Sequence, residues 1–357
     1  MPWALWVHLA SDPELCRAVA SAFVGAVFAS YRRRARAQDL LLTPRSFAHP
    51  GAVNFLQRFG SSLALNVHFH ALLLDGVFVT HGPASVPVFH TAPPLEDAEV
   101  ERVQRDARSR IERIHLARGL LRDPGDEPAP VKGEDESLLP FLCAASLQSR
   151  TASGPDSGRA LERLVDPHLS REASDPARFA PGSLRAESDG YSLHAATCIP
   201  AADREALEHL CRYVTRPPLA QGRLLLRDDG KVIWNLRKPW RDGTRGFVLD
   251  PLVFIERLVA LIPHPREHQL TYHGVLASAS PLRDDVVPLP PSRRARPGDP
   301  THSPPPTPAA RKRFSWAESL RRVFATDVLQ CPREPKAAAT SSPSSPIRRS
   351  SAASSPT

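Results

Sequence analysis

Asn66-Val67-His68-Phe69-His70-Ala71-Leu72-Leu73-Leu74-Asp75-Gly76-Val77-Phe78 is the stretch on which the fold turns. An apolar, partly β-branched run closed by Asp75-Gly76 and followed by a second apolar run has the pattern of a strand, a tight turn and a returning strand. Side chains two apart in a strand share a face, so His68 and His70 stand side by side, with Cα atoms about 6.5–7 Å apart. Val67, Phe69 and Ala71 take the other face, where helices can cover them. Two imidazoles on one face can share a metal ion, or can simply lie on a half-exposed sheet; the triplet alone does not separate these readings.

Working outward, Ser11-Asp12-Pro13-Glu14 offers a capping acid, a proline at the first helical position and an acid in the first turn. This starts a helix over residues 13–36. Its Val19, Phe23, Val27 and Tyr31 share a side, and Arg32-Arg33-Arg34 near its end complement the helix dipole. Strands are predicted over residues 51–59 and 63–79, and a charged helix over 95–122. Further on come a strand over 191–199 and a helix over 201–215, stopped by Pro217-Pro218. Hairpins turn at Asp228-Asp229-Gly230 and Arg241-Asp242-Gly243, Asp250-Pro251 caps a helix to residue 262, and 269–276 closes the body as a strand. Residues 146–189 lack periodicity and read as a long loop with one helix near 158–165. From residue 281 the composition turns to Pro, Ser, Ala and Arg, predicting disorder interrupted by one helix over 315–325. The fold class is α+β, a central antiparallel sheet with flanking helices and a disordered C-terminal tail.

The 357 residues carry a formal charge of +8, with 41% hydrophobic residues and 38 prolines. From residue 281 onward, thirteen Lys and Arg face six Asp and Glu, so the tail holds nearly all of that excess. Overall basicity is therefore poor evidence that the folded body binds nucleic acid, and local clusters must carry that case. Cysteines at 16, 143, 198, 211 and 331 form no Cys-x-x-Cys pair and no regular framework, so disulfides are not implied. The longest apolar run, residues 18–29, is too short to span a bilayer, and no basic stretch precedes an apolar core at the N-terminus. The expectation is an intracellular, soluble protein without a membrane partner.

In the helix over 201–215, Leu207, Leu210, Cys211 and Val214 have core spacing, whereas His209 and Tyr213 lie four apart on another face beside Arg212 and Arg216. Periodicity alone is equally consistent with a boundary tyrosine and with a functional one. Two imidazoles do not complete a metal site. Candidates for a third ligand are His194, Gln57 and His209, with His194 first because a neighbouring strand can present its ring to the same face. Arg212, Arg216, Arg223, Arg227, Lys231, Arg237, Lys238, Arg241 and Arg245, interleaved with Trp234 and Trp240, are the local DNA-contact candidates. Charges that follow phosphates and rings that stack on bases suit single strands. Solvated hairpin charges and two core tryptophans explain the same pattern.

The stretches Gly51-Ala52-Val53-Asn54-Phe55-Leu56-Gln57-Arg58-Phe59-Gly60, Leu63-Ala64-Leu65-Asn66-Val67-His68-Phe69-His70 and Leu74-Asp75-Gly76-Val77-Phe78 together resemble the two-tyrosine, rolling-circle insertion-sequence transposases. These carry the His-hydrophobic-His (HUH) signature. The resemblance resumes at Leu210-Cys211-Arg212-Tyr213-Val214-Thr215-Arg216-Pro217-Pro218 and at Leu270-Thr271-Tyr272-His273-Gly274-Val275-Leu276. It implies an RRM-like HUH nuclease fold over residues 49–280, with a loop insertion at about 123–189. Residues 1–48 would be the remnant of a longer N-terminal region and 281–357 a tail, the chain being shortened at both ends.

The resemblance further implies that Tyr213 attacks a DNA phosphodiester, leaving a 5′-phosphotyrosine and a free 3′-OH. A free tyrosine has a pKa of about 10, so it needs assistance at neutral pH. Mg²⁺ or Mn²⁺ held by His68 and His70 would supply it through electrostatics and positioning. The implied partner is the single-stranded ends of an insertion sequence, with a homodimer as a candidate assembly. The implied location is the cytoplasm of a prokaryote, on the nucleoid when DNA is bound. Many relatives carry two tyrosines four apart, and here the earlier position is His209, a candidate base or ligand. A two-tyrosine cycle would need Tyr272 or a second subunit. Two other readings stand beside this one: an inactive transposase fragment that retains DNA binding, and a metal-dependent phosphoesterase using water.

Overall fold

The computed structural model describes residues 1–288, except residue 3 and residues 41–42, 44–45, 83–84, 122–137, 170–179 and 220. The tail and its expected helix over 315–325 lie outside the described residues. Helices α1 (Ala4–Ser11) and α2 (Pro13–Ala37) open the chain. Asp12 caps α2, its carboxylate accepting from the backbone N–H of Glu14 and Leu15 at 2.9 Å. α2 is long and apolar enough to cross a bilayer. Here, however, Leu15, Cys16, Val19, Val24, Val27 and Phe28 are buried within the body.

Strands β1 (Ser46–His49), β2 (Gly51–Phe59), β3 (Leu65–Leu73), β4 (Gly76–His81) and β5 (Val88–Thr91) follow, then α3 (Asp97–Ala117) and α4 (Leu138–Leu147). Next come β6 (Glu162–Val165), β7 (Arg185–Ser188), β8 (Tyr191–His194), α5 (Arg204–Val214), β9 (Leu224–Leu226), β10 (Val232–Asn235) and β11 (Thr244–Leu249). α6 (Pro251–Leu261), β12 (Leu270–Gly274) and α7 (Arg283–Val286) complete the described chain. The fold is α+β with antiparallel pairing, as expected, but the strands divide among four sheets: β12-β2-β3, β1-β4-β5, β6-β11-β10-β9 and β7-β8.

Three local expectations are corrected. Asp75-Gly76 does not close a hairpin, because β3 pairs with β2 while β4 pairs with β1 and β5. The two-residue turns favoured in hairpins need positive φ, and neither residue has it. Instead Leu74 N–H bonds to Gly51 C=O in one sheet, and Asp75 C=O accepts from Ala92 N–H beside the other. Gly76 permits that crossover, since a Cβ there would lie 2.2 Å from the carbonyl oxygen of His90. The helix expected near 158–165 is absent; Gly158 takes φ +82° in a turn, and Glu162–Val165 pair with β11. Partner strands rather than local propensity decide this segment. The surrounding 146–189 is not an unbroken loop either, since it holds β6, β7 and part of α4.

The β12-β2-β3 sheet has two unlike faces. Ala52, Asn54, Leu56 and Arg58 of β2 are buried on one. On that face Ala52 packs with Val24 and Phe28 of α2, and Phe69 stacks on Phe23 at 6.4 Å. Arg58 forms a buried ion pair with Glu267 at 3.2 Å and donates to Ala10 C=O at 2.9 Å, tying β2 to α1 and to the loop before β12. Taking one partner from a buried pair strands the other charge. Arg58→Met should therefore lower unfolding stability in urea by about 3 kcal/mol, whereas Arg212→Met, which breaks the exposed pair with Glu208, should have little effect. Equal effects of the two substitutions would contradict this ranking.

Candidate active site

The opposite face of the sheet carries the histidines. Gln57 of β2 is registered against His68 of β3, and Phe55 against His70, so all four side chains point to the same side. The imidazole centroids lie 4.9 Å apart with planes at 74°. His68 Nδ1 is 2.8 Å from Asn66 C=O. A carbonyl only accepts, so Nδ1 carries the proton and Nε2 keeps its lone pair. His70 Nε2 is buried with no hydrogen-bond partner. Burial pushes both imidazoles below the usual histidine range, with the Arg216 charge adding to it. His70, which also feels His68, falls to about 4. Both rings are thus neutral at pH 7 and available as ligands or acceptors.

α5 brings the phenol. Asp203 caps the helix by accepting from Ala206 N–H at 2.9 Å. At the far end, Thr215 closes it onto Cys211 C=O through both its N–H and its hydroxyl. Val214 is buried, and its carbonyl accepts from Gln57 Nε2 at 2.6 Å, which docks the end of α5 onto the sheet. The neighbouring Tyr213 is 39% exposed and meets His70 edge-on at 5.8 Å between centroids. The Arg216 guanidinium sits over the Tyr213 ring at 4.6 Å, and its Nε is buried without a partner. Tyr213, His70, His68 and Arg216 therefore form one contiguous cluster.

The other candidates separate into distinct places. Among the described residues no three His, Cys, Asp or Glu side chains gather where one ion could bind them all. His194, expected to complete the histidine pair, is exposed on β8, which among the described residues pairs with β7 alone. That two-stranded sheet packs on α3, with Gln104 donating to Tyr191 C=O and to the Ser188 hydroxyl. The reasoning that a neighbouring strand would present His194 fails because β8 does not neighbour β3. His209 is exposed one turn before Tyr213 and joins neither histidine. Gln57 is the third-ligand candidate that remains at the cluster, its Oε1 buried and unpartnered.

The hairpins are corrected in part. Trp234 is fully buried, with its indole N–H on Ser61 C=O, so it cannot stack on a base. Trp240, partly buried, packs edge-on against Phe247 of the core at 5.4 Å. Arg223 lies over the Trp234 ring and donates to Asn235 C=O and Ser61 C=O, a structural use of its guanidinium. Arg212, Arg227 and Lys231 pair with Glu208, Asp229 and Glu162. Arg237, Lys238, Arg241 and Arg245 are exposed and, among the described residues, pair with no carboxylate. Sequence patterning missed the Asn66 carbonyl that fixes the His68 tautomer, and no periodic signal marks it.

A histidine-selective NMR titration checks the electrostatics of this cluster directly. His70 should remain neutral at pH 5.5 and protonate with a midpoint of about 4. A midpoint at the ordinary histidine value of about 6.5 would contradict the burial of that ring.

Residues 51–283, which contain every member of the cluster, match the family model described as "Putative transposase". No curated protein and no solved structure matches the chain. The match spans more than half of the 357 residues and runs from the first residue of β2 to the first residue of α7. By that match the chain belongs to this transposase family, whose business is the transposition of DNA.

Proposed function

We propose that the chain acts on single-stranded ends of an insertion sequence in rolling-circle, HUH-type transposition, cleaving and rejoining DNA through a tyrosine ester. The observation that carries this reading is the half-exposed phenol of Tyr213, held edge-on to His70 with a guanidinium against its ring. Family membership supplies DNA as the partner, and the cluster supplies a nucleophile together with groups that attract a phosphate.

In the proposed step Tyr213 Oη loses its proton and attacks the scissile phosphorus. The bond from phosphorus to the 3′ oxygen breaks, that oxygen takes up a proton and leaves as a 3′-OH, and the 5′ phosphate stays esterified to Tyr213. Rejoining reverses the step, with a 3′-OH displacing the phenol, so the energy of the phosphodiester is retained. Arg216 sits against the phenol and brings positive charge to where the non-bridging oxygens must lie during attack. His68 and His70 face the same point as neutral rings, each with a nitrogen free of any competing hydrogen bond.

Those two nitrogens and the orphaned Gln57 Oε1 fit a divalent ion that accepts mixed nitrogen and oxygen donors, and Mg²⁺ or Mn²⁺ is the proposed occupant. When bound, such an ion polarises the phosphate and helps orient in-line attack. The Asn66 carbonyl, accepting from His68 Nδ1–H, holds that ring with Nε2 free to bind such an ion. For the strand itself, Arg237, Lys238, Arg241 and Arg245 are the exposed cations without carboxylate partners. The charges of Arg216 and Arg237 both act on Arg223. Phosphates bound by these exposed cations would make binding fall steeply with salt.

Incubation with a labelled single-stranded oligonucleotide library and Mn²⁺ tests the reading. Wild type should yield a protein–DNA adduct that survives denaturation, and Tyr213→Phe should lose it by at least about a thousandfold, as expected when the nucleophile is removed. Cleavage that persists in Tyr213→Phe would establish water as the nucleophile instead, and binding without any adduct in wild type would establish a fragment that only grips DNA.

A further inference from the structure

One helix backs two sheets. Val24 and Phe28 of α2 pack under Ala52 of the β12-β2-β3 sheet, and Ala35, about two turns on, packs with Ala48, Val77 and Val79 of the β1-β4-β5 sheet. β1 runs into β2 through Pro50, and β3 runs into β4 through Leu74 and Asp75. Along each of these strands, the residues that alternate with those facing α2 point away from it. Gln57, Phe55 and Val53 of β2, with Tyr272 of β12 registered against Val53, share that outer side with His68 and His70. So do Phe47 and His49, which flank Ala48 on β1, and Phe78 and Thr80, which flank Val79 on β4. The histidine face and the outer face of the β1-β4-β5 sheet therefore lie on the same side of the molecule, away from α2.

That second outer face is a group of rings. His49 is registered against Phe78 and Phe78 against Phe89, which places one ring on each strand of a row, and Phe47 stands beside His49 on β1. The Phe78 and Phe89 centroids lie 5.2 Å apart, and those of Phe47 and His49 6.4 Å apart. His49 Nε2 is 2.9 Å from Thr80 Oγ1, which fixes the imidazole among the phenylalanines. Phe47 and Phe89 are nevertheless 56% and 43% exposed. Large apolar rings gathered in the open on one sheet face mark a surface that something covers. None of the side chains that these three strands turn outward is acidic. Arg32 is exposed, and its positive charge acts on His49.

We infer that this face is a base-stacking platform, on which Phe47, His49, Phe78 and Phe89 hold unpaired bases of the same DNA strand whose phosphate reaches Tyr213. The inference rests on the single-stranded reading above, but not on the chemistry of the tyrosine ester. Three observations choose the occupant. Family membership makes DNA the partner. Rings spread across an antiparallel sheet suit the flat faces of bases, which a single strand leaves open and which stack on aromatics with little regard to sequence. A duplex offers no such faces along its length, because its bases are already stacked on one another. The third observation is continuity with the histidine face. The chain from His70 to Phe78 is eight residues long and spans at most about 26 Å. Between the two, the side chains of Leu74 and Leu276 fill the space over Gly51. Arg32, beside His49, supplies a cation for the backbone of a strand lying there.

The test measures binding rather than cleavage. Fluorescence anisotropy with the full chain, in the absence of metal, compares a labelled thymidine oligonucleotide with an abasic strand of equal length, which keeps the phosphates and lacks the bases. Phe47→Ala combined with Phe89→Ala should weaken binding of the base-bearing strand by at least about tenfold and leave the abasic strand within about twofold. The dependence of affinity on salt should keep its slope, because no cation is removed. Phe47→Tyr combined with Phe89→Tyr should bind as wild type does, and an unchanged thermal melt should show that both variants are folded. Equal affinity of wild type and the alanine variant for the base-bearing strand would overturn the platform, as would an equal loss on the abasic strand. An alanine variant altered only in its state of assembly would also overturn it, and would give the face to a second copy of the chain. Each of these results leaves the role of Tyr213 standing. A wild-type chain that binds no single strand at all would remove the single-stranded reading and the platform together.

Discussion

One buried hydrogen bond, from the side-chain amide of Gln57 to the carbonyl of Val214, sets the geometry on which the rest of this site depends. The last carbonyls of a helix have no partner within it, and here one of them is met by a residue on the central strand of a three-stranded sheet. The consequence is positional. Gln57 is registered against His68, so fixing the residue after Tyr213 to Gln57 also fixes Tyr213 above the histidine pair. A bond of this kind contributes only about 1 kcal/mol net to stability, yet it decides which side chains meet. The amide oxygen of Gln57 is left buried and unpartnered.

The alternation of β2 and β3 does the complementary work. One face of each strand is committed to burial against α1 and α2, anchored by the Arg58–Glu267 pair. The opposite face is thereby free to hold polar groups at fixed spacing. Backbone pairing specifies that spacing strongly, because a slip of one residue would exchange the two faces and bury His68 and His70 against Phe23 and Phe28. The transposase family match begins at the first residue of β2 and ends just past β12. The sheet that carries the histidine face is thus contained within the matched segment.

Much of this was legible in the residues themselves. The period of two around His68, Phe69 and His70 separates the face that stacks on Phe23 from the face that carries the imidazoles. The spacing of His209 and Tyr213 against Leu210 and Val214 places the tyrosine on a helix face distinct from Val214. What failed concerns which strand lies beside which. Asp75-Gly76 has the composition of a hairpin turn, but its flanking strands find partners in different sheets. His194 has the right chemistry on the wrong sheet for the same reason. Trp234 and Trp240 sit among basic residues in sequence, and only the packing shows Trp234 fully buried on β10 and Trp240 partly buried against Phe247. The alignment of Tyr272 with the histidine face depends on the register of β12, which no local pattern encodes.

The central physical claim is that the phenol at 213 and the imidazoles at 68 and 70 serve a single phosphate. Crystals of Tyr213→Phe, grown with a single-stranded oligonucleotide and Mn²⁺ and measured at the manganese edge, address it most directly. The claim predicts one anomalous peak within ligand distance of His68 Nε2 and His70 Nε2, with a DNA phosphate between that peak and the ring at position 213. Manganese bound elsewhere, or DNA lying on a face remote from residue 213, would contradict it.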